Sequence, residues 1–394
     1  MFDKIRATLA AGFVVMATTS HAGTLEPARL ADALRAQPDA RYLFVTTTED
    51  AAVAQALLEK HASSLEGAVV LPVFGGFAAT MSVAHAVELT NENGVRTVWY
   101  MHPDEAPLTH RVLQALEAVV ANGALISNLS LGPPASFFVT KAAPAAPVPR
   151  ALQAVASHGP LSVVAIGNEG SRAPGYVNPW SALPWVMSVG AWDHRDNTVW
   201  AHSSTGTPEE PDTWPDVVAH GVDVIGPMTG GRPKTPAEKA YDEGHPRFQE
   251  VVAPDKRDQY TMKSGSSMAA AQVSNAAAQV AHFLTGLINE VQPVEGAFMF
   301  AIEVGPERIS AHDEAAKRLT GTAKPLEGGG VEYAYTLDLP WKMIKQILID
   351  TAIPVPDAPP WAAGAGIVDP QYIRAQFGKY GTVDTQILPL RVTE

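Results

Sequence analysis

Short apolar runs alternate with amphipathic stretches through the first half of the chain. "RYLFVTT" (41–47) predicts a buried strand after a short helix over 27–38, and "GAVVLPVFGGF" (67–77) predicts a strand ending in glycines. "FAATMSVAHAVEL" (77–89) reads as a helix, "VRTVWYM" (95–101) as a strand and "THRVLQALEAVVANG" (109–123) as an amphipathic helix. The strand "ALISNLSL" (124–131), the helix "PRALQAVASHG" (149–159) and the strands within "LSVVAIGNEG" (161–170) and "WVMSVGAWD" (185–193) continue the alternation. This order predicts an α/β fold in three layers, a mostly parallel sheet with helices on both faces. Chemistry in such sheets gathers beyond the carboxyl ends of the strands, where "NLSLG", "GNEG" and "YMHPDE" fall. Residues 205–260, rich in Pro, Gly and charge, read as surface loops around the strand "VVAHGVDVI", and 285–338 form a second irregular stretch. No fixed-period repeat is visible, so residues 23–394 read as one elaborated domain with two insertions.

The ends and the charge narrow the setting. Lys4 and Arg6 precede an apolar run from Leu9 to Ala17, followed by Ser20-His21-Ala22, the three parts of a secretory signal cut after Ala22. The run is too short to span a bilayer, so the mature chain is expected to be exported, periplasmic or secreted, without a membrane span. The 394 residues are 46% hydrophobic and 18% charged, an ordinary globular balance. A net charge of −13 without a basic block argues against nucleic acid as a partner. With no cysteine, disulfides, thiol chemistry and Cys-ligated metal are excluded. His110, His158, His202 and His220 lack metal-ligand spacing, and "DHRDNT" (193–198) lacks the Gly and closing Glu of a calcium loop. We therefore expect no metal or cofactor.

"SGSSMAAAQVSNAAAQV" (264–280) sets two serines before an alanine-rich helical run. Taken alone, Ser267 is either a helix cap or a nucleophile at a helix N-terminus. The surrounding blocks bear on that choice, because in order they resemble a subtilisin-like serine peptidase. "ANGALISNLSLG" (121–132) resembles the helix and strand bordering the substrate cleft, which implies cleft positions at Ser130, Leu131 and Gly132. "VVAIGNEGS" (163–171) resembles the segment carrying the oxyanion-hole asparagine, implying Asn168 with Gly167 beside it. "LPWVMSVGAWDHRDNTVWAHSSTG" (183–206), "DVVAHGVDVIGP" (216–227), "MIKQILIDTA" (343–352) and "GAGIVDP" (364–370) resemble later blocks, and "SGSSMAAAQVSNAAA" (264–278) resembles the nucleophile block with Ser267 as nucleophile.

The resemblance also shows departures. The family's activating histidine block corresponds to "FGGFAATMSV" (74–83), which places Phe74, and at the second histidine Phe77, where an imidazole is expected. The strand ending in the family's aspartate corresponds to "YLFVTTTED" (42–50), which places Thr46, or Thr47 one register on, at that position; Asp50 is a distant substitute. His102, with Asp104 nearby, is the first choice for a relocated base, and His85 a weaker one. Only a short stretch separates Ala22 from the first strand, so no proregion is expected. A serine hydroxyl without a base is a poor nucleophile. The resemblance therefore implies an exported pseudopeptidase that binds a peptide or a protein, an active peptidase among the candidates. The alternatives are a serine hydrolase using Ser267 and His102, and a subunit of an exported assembly with contacts on the two insertions.

Overall fold

A computed structural model describes residues 24–25, 40–101, 106–133, 146–170, 174–209, 214–228, 233–288, 298–304, 321–325, 331–337 and 340–373. The expected signal segment, the helix over 27–38 and His102 lie outside the described residues. The chain divides into two compact units. Among the described residues, the first comprises those up to Ala124 together with Pro133 and 146–158; the second comprises Leu125–Gly132 and those from Gly159 on.

The first unit contains β1 (Thr24–Leu25), β2 (Arg41–Thr48), α1 (Ala51–His61), β3 (Glu66–Leu71), β4 (Gly76–Ser82), α2 (Val83–Leu89), β5 (Val95–Tyr100), α3 (Ala106–Ala121) and α4 (Pro147–Ser157). Its sheet has the order β1-β5-β2-β4-β3. From β2 to β5 the succession β-α-β-β-α-β and this order make a split βαβ sandwich, ferredoxin-like in topology. Here the structure departs from the predicted elements. β2 runs antiparallel to both of its neighbours, β4 and β5, instead of opening a parallel sheet. Residues 77–89 are not one helix, because Gly76–Ser82 form a strand and the helix begins only at Val83.

The cause is a tight hairpin between β3 and β4. Gly75 adopts φ +68°, and a Cβ on Gly76 would lie 2.1 Å from the Thr46 carbonyl oxygen. Glycine is required for that approach. The strand is then buried almost throughout, Phe77, Ala78, Ala79 and Met81 being fully inaccessible, and helical propensity yields to burial. Phe44, Leu57, Phe77, Met81, Leu89 and Tyr100 form this unit's core. Asp50 caps α1 by accepting a hydrogen bond from the Val53 amide at 2.8 Å.

The second unit contains β6 (Ile126–Leu129), β7 (Leu161–Ala165), β8 (Val186–Asp193), β9 (Thr198–Val199), β10 (Val217–His220), β11 (Val224–Pro227), α5 (Pro236–Gly244), α6 (Pro246–Val251), β12 (Tyr260–Lys263), α7 (Ser266–Ile288), β13 (Phe298–Val304), β14 (Gly321–Pro325), β15 (Val331–Leu337), α8 (Pro340–Asp350) and α9 (Pro360–Ala363). Strands β10, β8, β7 and β6 run parallel in that order. The apolar runs of β7, β8 and β10 are those of strands covered on both faces. One face is filled by α7, whose Ala269, Ala270, Val273, Ala276 and Ala277 meet Val163, Met187, Val189 and Val217, and α8 adds Ile344 and Leu348 to the same core.

Both stretches expected to be irregular contain regular elements. In 205–260, α5 starts with a full capping box, Thr235 and Glu238 each bonding the other's backbone, with Pro236 in its first turn. In 285–338, β13, β15 and β14 form an antiparallel sheet. Residues 194–197 turn between β8 and β9, as read from "DHRDNT".

Candidate functional site

Ser267 is the second residue of α7, so it stands in the first turn, where the helix dipole favours negative charge. Close packing places that turn. The Gly265 amide donates to the Gly221 carbonyl at 2.7 Å. A Cβ on Gly221 would lie 2.8 Å from the Gly265 oxygen and 2.8 Å from the Ala191 Cβ, so only glycine admits the helix start so near the ends of β8 and β10.

Most residues expected at the site converge here. The Ser266 amide and hydroxyl donate to Asn168 Oδ1 at 2.8 and 3.0 Å, and the Gly167 amide donates to Ser266 Oγ at 3.2 Å. Asn168 is itself exposed. With its oxygen engaged by Ser266, its amide nitrogen is the atom left to donate to a ligand. Ser267 and Ser130 form a reciprocal pair: Ser267 Oγ donates to the Ser130 carbonyl at 3.2 Å, and Ser130 Oγ donates to the Ser267 carbonyl at 2.7 Å. Leu131 is 40% exposed, and its carbonyl accepts from Asn178 Nδ2 at 3.2 Å. The Gly132 backbone passes so close to Asn178 that a Cβ would lie 2.8 Å from its carboxamide.

Beside this turn lies the antiparallel pair β11–β12. Val224, Gly226, Thr261 and Lys263 line a groove of about 280 Å³ that Met268 closes from α7. The site therefore presents a hydroxyl, a carboxamide nitrogen and a groove, while the first-turn amides of Ser266, Met268 and Ala269 are already bonded. A main-chain carbonyl cannot take up a proton. Among the described residues the Ser267 hydroxyl thus has an acceptor but no base.

The other expected positions belong to the first unit. Thr46 is fully buried in the middle of the first unit's sheet, in register with Phe77 and Val98, and its Oγ1 has no hydrogen-bond partner. Phe74 is nearly buried in the β3–β4 turn, where Val73 and Phe74 both donate their amides to the Glu117 carboxylate at 2.9 Å. Asp50 is a helix cap. His85 is in the first turn of α2, its Nδ1 3.2 Å from Glu88 and its ring edge-on to His61 at 4.9 Å. The absence of a proregion was inferred from taking β2 as the first strand of the peptidase sheet. β2 instead belongs to a separate sheet, and that inference loses its footing.

Sequence reading did not single out the polar cluster behind Ser267. Asp223, at φ +53°, accepts from Arg195 and Tyr241 at 2.7 Å each, and His245 Nε2 lies 3.1 Å away. Its amide donates to Ser264 Oγ at 2.9 Å, and that hydroxyl donates back to the carboxylate at 3.2 Å. Burial alone would raise the Asp223 pKa, but the bonds from Tyr241 and Arg195 outweigh it and hold the carboxyl below its usual range. The Arg195 hydrogen bond does the same for Asp193. The Gly-x-Asp break inside "VVAHGVDVI" was the available signal. It was read through as one strand.

The profile of the subtilase family matches residues 85–295, more than half of the chain and all of the convergent site, beginning beyond Thr46 and Phe74. Similar solved structures include a lanthipeptide protease, 18% identical over 68% of this chain and 66% of that one, with a TM-score of 0.40. The epidermin leader peptide processing serine protease from Staphylococcus aureus is 11% identical over 85% and 98%, with a TM-score of 0.47. Fervidolysin from Fervidobacterium pennivorans, a keratinolytic enzyme related to subtilisin, is 14% identical over 85% and 61%, with a TM-score of 0.44. This chain thus spans about two thirds of the first and third and nearly all of the second. No curated protein matches. With the ordered blocks, the nucleophile turn and the family profile in agreement, the chain belongs to the subtilase family.

Proposed function

We propose that this subtilase acts by binding rather than by proteolysis, holding a peptide or a protein segment along Ser130–Gly132 and the turn of Asn168 and Ser267. One observation carries the reading. The Ser267 hydroxyl gives its hydrogen to the Ser130 carbonyl, and no imidazole among the described residues receives it. Subtilisin variants lacking the serine or the histidine alone lose about 2 × 10⁶ in kcat, leaving roughly 10³–10⁴ over water. A chain in that state retains the binding surfaces while losing the chemistry. The N-terminal segment supports action outside the cytoplasm, and a protein partner, an active peptidase included, fits the same surface.

The test is a fluorophosphonate probe on the purified protein, with Ser267→Ala as control. We expect labelling no faster than in the control. Labelling of Ser267 at a rate typical of serine peptidases would overturn the proposal and return attention to a relocated base such as His102.

A further inference from the structure

We propose that the Asp223 cluster is an acid-released latch: it holds the α5–α6 segment and the Ser264–Ser267 turn in place at neutral pH and lets the segment go as His194 and His220 become charged. The proposal holds whether Ser267 serves binding or chemistry, because it concerns only what fixes the turn.

Three polar contacts tie α5–α6 to this cluster, while the Met262 amide's bond to Asp242, the Lys263–Glu238 pair and buried Phe248 hold the same segment to β12. Tyr241 donates to Asp223, His245 contacts the same carboxylate, and Arg247 donates to His194 Nε2 at 2.9 Å. From the other side, Ser264 holds Asp223 by two bonds, which places the carboxylate between the helices and the turn that precedes α7. Arg195 bridges Asp223 and Asp193, taking the latter through both carboxylate oxygens.

The imidazoles are arranged so that two of them must stay neutral. His194 accepts from Arg247 and so carries its hydrogen on Nδ1, which is buried without a partner. Protonating Nε2 removes the acceptor and sets two cations face to face. His220 packs edge-on against His194 with centroids 4.5 Å apart, and its Nδ1 is also buried and unpaired. A charge on either ring opposes a charge on the other.

The facing groups are Arg247 from α6, Asp193 and Arg195 at the end of β8, and Asp223 beyond β10. The carboxylates favour charging and the two arginines oppose it. Burial, with Arg247, leaves both histidines below their ordinary value. His245 touches Asp223 through Nε2 at 3.1 Å and makes no contact with His194 that could replace the acceptor there.

The sign follows by linkage. A histidine that resists protonation in the fold contributes stability above its unfolded value of about 6.5, and that contribution is lost as pH falls from there towards the depressed value.

Hydrogen exchange resolved by peptide, corrected for intrinsic rates and compared at about pH 8 and about pH 5, tests the latch. We expect the peptides covering 236–268 to lose protection several-fold at the lower pH. Peptides from β7 and β8 should stay protected. In His194→Gln, whose side-chain oxygen can still accept from Arg247 but carries no titrating proton, the loss should shrink by at least half. Unchanged protection in the wild type would overturn the latch. So would an equal loss in His194→Gln, or a loss spread evenly over β7 and β8.

Discussion

The two units build opposite sheets from similar apolar runs. In the first, β2 lies between two strands that run against it, and a four-residue hairpin joins β3 to β4. In the second, four strands run together, each reached by a connection of twenty residues or more of the chain, as parallel pairing demands. Direction decides what the strand ends can do. Parallel strands deliver Ser130, Gly167 and Gly221 to one rim, where a helix N-terminus meets them. The antiparallel sheet holds Thr46 mid-strand and fully buried, beside Phe77. A position counted from the start of a strand carries functional meaning only if the strand belongs to the sheet assumed.

The strongest way to break this comparison is to damage one sheet at a time. Gly76→Ala drives a Cβ to 2.1 Å from the Thr46 carbonyl, and we expect a cost of about 3 kcal/mol confined to the first unit. Gly221→Ala meets the Gly265 oxygen and the Ala191 Cβ at 2.8 Å, for about 2 kcal/mol in the second. Peptide-level hydrogen exchange should show losses in β2 and β4 for one variant, and in β8, β10 and α7 for the other. Losses spread evenly over both units in either variant would mean that the two sheets do not answer separately to local damage.

A smaller effect sharpens what Phe74 does. Its amide and that of Val73 both end on Glu117. Glu117→Ala strands two donors, and hydrogen bonds to charged groups predict a loss of about 2 kcal/mol. Thermal unfolding should register it. A neutral result would mean that the turn is held by its glycines alone.

The second unit was largely legible because burial on both faces writes itself as continuous apolar runs. "LSVVA" and "VMSVGAWD" became β7 and β8 with little shift, and Gly265 with the small residues of 266–277 announced a closely packed helix. The first unit was misread for a physical reason. "GFAATMS" has neither a two-residue nor a helical period, and its alanines favour helix until the neighbouring strands bury them. In the insertion, "TPAEKAYDEG" did carry a helix start, Thr and Glu three apart with Pro at the first position, beneath a composition that read as loop. At the site, Ser267, Asn168 and Ser130 were reachable from the sequence because each lies in one of the ordered blocks that resemble the family. Asp223, Tyr241, His245, Arg195 and Ser264 meet from separate segments, and no local spacing predicts that meeting.

The smallest effect separates a chemical role from a structural one at Asp50, the acid that sequence spacing offered in place of the aspartate. In the fold its carboxylate receives the Val53 amide at the start of α1. Removing that cap by Asp50→Ala should cost about 1 kcal/mol, and Asp50→Asn, an equally good cap, only a few tenths. An acid that orients an imidazole would behave differently. Asparagine would keep the fold and abolish any reaction at Ser267, because the negative charge and the correct tautomer are lost together. Unfolding midpoints and fluorophosphonate labelling, measured on the same two variants, tell these apart. A cap moves only the midpoint, and only in the alanine variant. Labelling present in the wild type and lost in Asp50→Asn would move Asp50 out of the first unit's framework and into the chemistry, and the contrast between the two sheets would fall with it.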